Sequence, residues 1–437
     1  MRYLSSHLAG KAACALLLTS AAMAQFPLFP SKRVVGWSDL PAPNNASYLD
    51  IQDVDNNCQK AITVCKYPGN LPLRPQAYNA YSGGTAYDAR YRTVWVSDGK
   101  LLAEYAVRGC KPRCKPFKAI QLNKNAYVSG LAIAQKKPRL FQLSTTYYYF
   151  EVVTYDLRKC PRAIARCAYK FPTTGGIGRP LAAGIAYDEP NDRLFISISY
   201  INAVGGYNHM VFVSPASSPC KPICKARIMT CSQKLVTGLA YDNCKRELYA
   251  TDGQVTQMHF VSSQNPCKIK IGKCCKKQIP SKYRGLAVIP GFKPGVKGKS
   301  CSQKPCPTCN NMFASWAGGD PVLGNQNFKL TLNNAPSGGI GIVILRGGPC
   351  HTVGLPFLCG RFYALNGPTI FVSATFMGGS GGCTGNAAIP VPLPSSPSIA
   401  SAICGKPLCA QWLVYCKNAS GSGFGGISNA VEFKITN

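Results

Sequence analysis

The chain offers few groups that could move protons. It holds 17 acidic side chains and four histidines in 437 residues. Asp88, Asp188 and Asp242 close near-identical phrases, and Asp98 and Asp252 close a second one. An active site is needed only once, so carboxylates that recur at fixed positions read as turn formers. Glu151 and Asp156 stand off this repetition and are the two carboxylates left for general acid and base work. His209 and His259 occupy comparable places in successive repeats, which favours packing or a shared surface role over a dyad. No catalytic residue is therefore assigned.

Metal and nucleotide motifs fare no better. Cys306-Pro-Thr-Cys309, with Cys301 nearby, has no second CxxC or HxxxH to complete a tetrahedral set, and reads as a disulfide-tied segment. Asp53-Val-Asp55-Asn-Asn57 opens like a calcium loop, yet Cys58 stands where glycine is needed and Val64 where a bidentate glutamate belongs. Gly378-Gly-Ser380-Gly-Gly382 matches a nucleophile elbow only formally, because no helical pattern follows. The glycine clusters at 175–178 and 338–341 lack both a helix and a phosphate-binding lysine, and read as turns. No metal and no cofactor are expected.

The amino terminus points outside the cell. Arg2 and Lys11 precede the apolar run AACALLLTSAAMA, and Ala22-Met23-Ala24 offers small residues for cleavage before Gln25. Residues 1–24 read as an export signal, too short to span a bilayer, and no other stretch reaches the roughly 20 apolar residues of a spanning helix. Of the 23 cysteines, removing Cys14 leaves 22, an even number suited to disulfides in an oxidising space. The expected location is extracellular, periplasmic or cell surface.

What positions all these groups is a repeat. Gly84, Gly130, Gly184, Gly238 and Gly285 open the phrases GTAYD, GLAIA, GIAYD, GLAYD and GLAVI, at steps of 46, 54, 54 and 47 residues. A second apolar strand follows most of them (TVWVSDG, RLFQLS, RLFISI, ELYATDG), then a third and a plausible fourth. Four strands per repeat of this length make the blade of a β-propeller. Cysteines close each repeat in twos: Cys110 and Cys114, Cys160 and Cys167, Cys220 and Cys224, Cys267 and Cys274. Cys58 and Cys65 precede the first phrase, in a segment that looks like the outer half of a blade lacking its first strand. GLAVI at 285–289 supplies that strand, which gives five blades closed by pairing the two ends; six require residues 25–83 to hold a further blade. The phrases resemble the blade signature of NHL and streptogramin-lyase-like propellers over roughly residues 50–290. That resemblance implies a fold rather than an activity, because the lyase histidine and glutamate have no matching positions here.

Residues 288–311 are rich in Pro, Gly, Lys and Cys and read as a linker. Beyond them, six or seven alternating segments separated by Gly, Pro and Ser predict a small β-sandwich. GDPVLGNQNFKLTLNNAP, PVPLPSSPSI, CAQW and SNAVEFKIT resemble a carboxy-terminal domain recurrent in secreted proteins of planctomycetes and related bacteria. Cys350, Cys359, Cys383, Cys404, Cys409 and Cys416 could form three disulfides there, in any of 15 connectivities. The expected class is all-β, with a signal at 1–24, a lead-in at 25–49, a propeller at 50–292, a linker at 293–311 and a sandwich at 312–437.

Charge is the last signal. Without Arg2 and Lys11 the chain keeps 47 basic against 17 acidic side chains, and residues 310–437 hold only six basic against two acidic. The excess gathers around the propeller cysteines: Arg108, Lys111, Arg113, Lys115, Arg162, Lys221, Lys225, Lys273, Lys276 and Lys277. If the cysteines bracket equivalent outer hairpins, these residues form a cationic crown able to bind a polyanion such as acidic polysaccharide, phosphorylated envelope polymer or released nucleic acid. The competing reading is a solvated face that keeps a disulfide-rich surface soluble. Aromatics such as Tyr147, Tyr148 and Tyr149 fit strand packing as well as base stacking, so no specific nucleic-acid recognition is expected. The sequence thus points to a secreted, non-enzymatic binding or structural protein of the cell exterior. A propeller glycan lyase or hydrolase, and a protein-docking scaffold, stand as alternatives.

Overall fold

A computed structural model describes residues 83–436 apart from 108–112, 122–124, 147, 172–179, 202–205, 253–254, 261–264, 276–282, 290–293 and 419–420, with the backbone of three earlier strands. Those are β1 (Arg33–Asp39), β2 (Ser47–Asp53) and β3 (Ala61–Tyr67). The export signal, Cys58 and the calcium-like loop beyond Asp53 lie outside the described residues.

Four antiparallel sheets follow in chain order. The first holds β4 (Gly84–Asp88), β5 (Thr93–Ser97), β6 (Leu101–Ala106) and β7 (Phe117–Lys118). The second holds β8 (Tyr127–Ala134), β9 (Arg139–Thr145), β10 (Tyr149–Asp156) and β11 (Arg162–Lys170). The third holds β12 (Pro180–Asp188), β13 (Arg193–Ile201), β14 (Tyr207–Pro215) and β15 (Cys224–Ile228). The fourth holds β16 (Gly238–Asp242), β17 (Glu247–Thr251), β18 (Val255–Phe260) and β19 (Ile269–Cys274). A closing sheet pairs β20 (Tyr283–Ile289) with β1, then β2 and β3, so its inner strand comes from the far end of the ring region. GLAVI belongs to this sheet as the sequence implies, but residues 25–49 are more than a lead-in: β1, from that segment, is the second strand.

The repeated glycines explain the repeated phrase. A Cβ on Gly84 would lie 2.8 Å from the Gly130 carbonyl carbon, one on Gly130 2.9 Å from Ile185 N, and one on Gly184 2.8 Å from the Gly238 carbonyl carbon. One on Gly238 would lie 2.6 Å from the Gly285 carbonyl carbon, and one on Gly285 2.4 Å from Thr85 N. The series therefore returns to its start. At each glycine the inner strand comes against the backbone of the next, and no room is left there for a side chain. Outside this ring the sheets alternate in the ordinary way: Trp95, Phe141, Phe195 and Tyr249 are buried between neighbouring sheets, one layer per gap.

The carboxy-terminal part is a sandwich. One layer runs β21 (Gly295–Lys297), β31 (Gly421–Lys434), β30 (Pro407–Asn418), β25 (Ile340–Arg346), β28 (Thr369–Phe376), with β22 (Cys301–Ser302) also on β31. The other is β23 (Phe313–Ala317), β24 (Lys329–Ala335) and β29 (Gly385–Pro390). Phe328, Leu330, Val343, Trp412 and Phe433 fill the space between them. A short hairpin, β26 (Leu355–Phe357) with β27 (Gly360–Phe362), and one helix, α1 (Pro397–Ile403), complete it. Because β21 and β22 pair with β31, residues 295–302 of the segment read as a linker belong to the sandwich sheet. No helix among the described residues is long and apolar enough to cross a membrane.

Candidate functional site

Concave space lies on the ring axis. Beyond the glycines, each inner strand runs outward to a sixth phrase position, where Ala89, Gln135, Glu189 and Asn243 stand at equivalent places. With Tyr87, Tyr187 and Tyr241 they line a central cavity of ≈ 70 Å³. Thr85, Leu131, Ile185, Leu239 and Leu286, each next to a ring glycine, line it as well. Its wide end is covered by the sandwich: Val322 lines the cavity and packs with Tyr87, Ala287 and Ile289.

An acidic clamp holds that cover. Asp320 accepts hydrogen bonds from the Tyr87 hydroxyl (2.6 Å) and Arg92 Nε (2.6 Å), while its own N–H donates to the Ala89 carbonyl (3.0 Å). Burial first, and then the Asp320 carboxylate, raise the Tyr87 hydroxyl well above the ordinary phenol range, so it stays a donor. Gly319, at φ +94°, sits so close to the Ala89 and Arg90 carbonyls that a Cβ would fall 2.2 Å from the first. A disulfide from Cys244, in the turn between β16 and β17, to Cys404 at the end of α1 fastens the same interface covalently.

The sixth-position side chains lace the funnel. Gln135 Nε2 donates to the Tyr87 carbonyl (3.0 Å), and the Glu189 carboxylate accepts the N–H groups of Gln135 (2.6 Å) and Lys136 (3.0 Å). Glu189 N–H in turn donates to Asn243 Oδ1 (2.7 Å). Burial pushes the Glu189 carboxyl up to about 7, against the lowering effect of those two N–H groups, with Asp192 adding to the rise and Lys136 opposing it. The folded state therefore keeps its proton where the unfolded chain has lost it, so this group's contribution is fully present below about 4.5 and fades as pH rises towards 7. Melting of the wild type should lose on the order of 2 kcal/mol across that window through this residue, and Glu189→Gln should flatten that part of the profile. Equal pH profiles for the two proteins would disprove the assignment.

The remaining carboxylates are occupied. Asp88 bonds Arg90 N–H, Nε and Nη2; Asp188 bonds Asn191 and Arg193; Asp242 accepts the N–H groups of Cys244 and Lys245. These are the turn roles their recurrence implied. Glu151 is buried and pairs with Arg166 at 3.4 Å, and Asp156 pairs with Arg158 at 2.5 Å, whose hydrogen bonds hold the Asp156 carboxyl down at about 2. The structure does not bring Glu151 and Asp156 together with the funnel. His209 is buried with Nδ1 2.9 Å from Ser199 Oγ, and His259 Nδ1 lies 3.7 Å from Glu247.

The basic residues sit on the rim. Arg162, Lys221, Lys225 and Lys273 are exposed on or beside the outermost strands β11, β15 and β19, joined there by Lys170, Arg227 and Lys270. Lys115 is exposed just before β7. Lys225 lays its chain over Phe212, its Nζ 4.8 Å from the ring centre. Arg113 departs from the sequence reading: its guanidinium stacks 3.4 Å from the Tyr91 ring centre and pairs at 3.0 Å with buried Glu104, so it serves its own sheet. Arg108, Lys111, Lys276 and Lys277 lie outside the described residues.

The cysteines correct the sequence reading most. The described bonds of the propeller strands run between repeats: Cys167 with Cys220, Cys224 with Cys267, and Cys231 with Cys274. In the first two, the second cysteine of one repeat meets the first of the next, whereas Cys231, outside the expected pairs, meets the second cysteine of the following repeat. Cys114 and Cys160 are unbridged, Cys110 lies outside the described residues, and of Cys65 only the backbone is described. In the sandwich only Cys350 and Cys409 pair within the expected six; Cys359, Cys383 and Cys416 bond Cys301, Cys309 and Cys306. Glu189 and Asp320 escaped the sequence reading altogether. The signal for Glu189 was its place, a position that repeats while its residue does not.

No known protein family and no curated protein matches the chain. Among solved structures it is similar to the Myceliophteria thermophila Cps50 (Swd1) β-propeller domain, at 12% identity and TM-score 0.31 over 57% of this chain and 73% of that one. Acinetobacter baumannii TolB gives 10% identity and TM-score 0.27 over 72% and 64%. The Dos1 propeller gives 12% and 0.28 over 58% of each. The propeller here rests on its own ring of sheets and glycines rather than on these likenesses.

Proposed function

We propose that this is an exported, non-enzymatic binding or structural protein whose propeller rim binds anionic polymers, acidic polysaccharide first among them. The observation that carries the reading is the disulfide-linked rim. Cys167–Cys220 and Cys224–Cys267 join successive outer strands, so Arg162, Lys170, Lys221, Lys225, Arg227, Lys270 and Lys273 follow one another along a belt rather than standing as separate patches. A polymer with regularly spaced charges can touch several of them at once, and release of its counterions drives binding.

The funnel supports the same reading from the other side. Its ≈ 70 Å³ holds a handful of waters, and Val322, beside the Asp320 clamp, lines one side of it. Eight disulfide pairs among the described residues are in keeping with an oxidising compartment. The NHL-like character of the blades and the planctomycete-type character of the sandwich belong to this proposal as well.

The test is retention of the full-length mature protein on immobilised heparin across a salt gradient, beside a variant with Arg162, Lys170, Lys225, Arg227, Lys270 and Lys273 changed to Gln. The variant should elute at clearly lower salt, its dependence of log affinity on log salt shallower by about 0.7–0.9 for each polymer charge it no longer neutralises. Co-elution of the two would reduce the belt to a solvated surface.

A further inference from the structure

We infer that Cys114 and Cys160 form a disulfide that joins the first sheet to the second and extends the rim's series of staples. The inference rests on equivalence of position. Cys160 lies in the turn between the third and outermost strands of its sheet, β10 and β11, as Cys220 does between β14 and β15, and Cys267 between β18 and β19. Cys114 opens the outer segment of its sheet as Cys224 opens β15. In both cases the preceding residue donates its N–H to the third strand: Arg113 to the Glu104 carbonyl (3.0 Å) and Ile223 to the Val213 carbonyl (2.8 Å). Cys224 reaches forward to Cys267, the first cysteine of the next repeat, and Cys114 faces Cys160 in the same sense.

The chemistry is thiol–disulfide exchange with an external disulfide, oxidised glutathione or a disulfide oxidoreductase. Exposed Cys160, as thiolate, attacks one sulfur of the oxidant and releases the other as a thiol. Cys114 then displaces the remaining half, closing the Sγ–Sγ bond and releasing a second thiol. The oxidant's disulfide takes up both electrons, and the two protons lost by the cysteines balance those gained by its thiols. Cys114 suits the second role: burial and the Glu104 carboxylate push its thiol up to about 11, so it is a poor first nucleophile.

The measurement is peptide mapping of the full-length protein, purified after export and treated with oxidised glutathione, then denatured and alkylated without reduction. A cross-linked peptide carrying Cys114 and Cys160, both unlabelled, is the expected result. In Cys114→Ser, which lacks the resolving thiol, Cys160 should instead carry a mixed disulfide with glutathione or, where the oxidant has not reached it, become labelled. Labelling of both cysteines in the oxidised wild type would overturn the inference, as would a cross-link from either to another cysteine, or a Cys160 bridged to another cysteine of the chain in Cys114→Ser.

Discussion

Gly285→Ala should cost the protein about 4 kcal/mol, lower its melting temperature by roughly 10 °C and sharply reduce its soluble yield. Two penalties act at one atom. Gly285 holds φ +81°, a region that strains any residue with a Cβ, and the added Cβ would stand 2.4 Å from Thr85 N and 2.7 Å from the Gly84 carbonyl carbon. Both neighbours are backbone, so no side chain can turn aside to make room. The clash falls where the last inner strand meets the first, at the closure of the ring. Gly338→Ala is the matching control, because Gly338 has φ +71° with nothing within 4 Å, so it carries the backbone strain alone, about 1 kcal/mol. Thermal melts of both variants separate the two penalties. Similar losses would mean that the inner strands are packed less tightly than their glycines imply.

Asp320→Ala should loosen the seal between ring and sandwich by about 3–5 kcal/mol. The carboxylate is 7% exposed and holds two groups of the first sheet at 2.6 Å each, the Arg92 guanidinium and the Tyr87 hydroxyl. Removal leaves a half-buried cation without its carboxylate and a buried hydroxyl without its acceptor. Asp320→Asn keeps an acceptor and should lose less. The Cys244–Cys404 bond keeps the two parts tethered in each variant, so the readout is local opening: hydrogen exchange at Ala89 to Arg92 and at 319–325 should accelerate in Asp320→Ala. Unchanged exchange in both segments would show that apolar packing around Val322 suffices to hold the cover.

These two residues also mark how much of the molecule was legible in the sequence. Gly285 was visible because every sheet faces the same steric problem at the axis, and a shared problem leaves a shared residue. The strand at Arg33–Asp39 was not, since it pairs with β20 from the other end of the ring region and carries no copy of the phrase. Asp320 acts once, on a partner 233 residues away, and no local spacing announces that. Glu189 hid in a hairpin turn, where an acid beside proline and asparagine looks ordinary. Cysteine spacing misled because nearness along the chain is not nearness in space: Cys220 and Cys224 are four residues apart, yet they bond outward to Cys167 and Cys267. The basic belt was legible as composition, but its continuity depends on those bonds.

The Cys244–Cys404 bridge has a mechanical meaning too. A pull on the final strand reaches Cys404 and passes directly to Cys244, bypassing the 160 residues of chain between them. Roughly 500 Å of contour is thereby withdrawn from anything that stretches the protein by its carboxy-terminal end. Tension enters the fourth sheet at a turn, away from the join between β20 and β1 that closes the ring. Under a load applied through the sandwich, the ring is the better protected part.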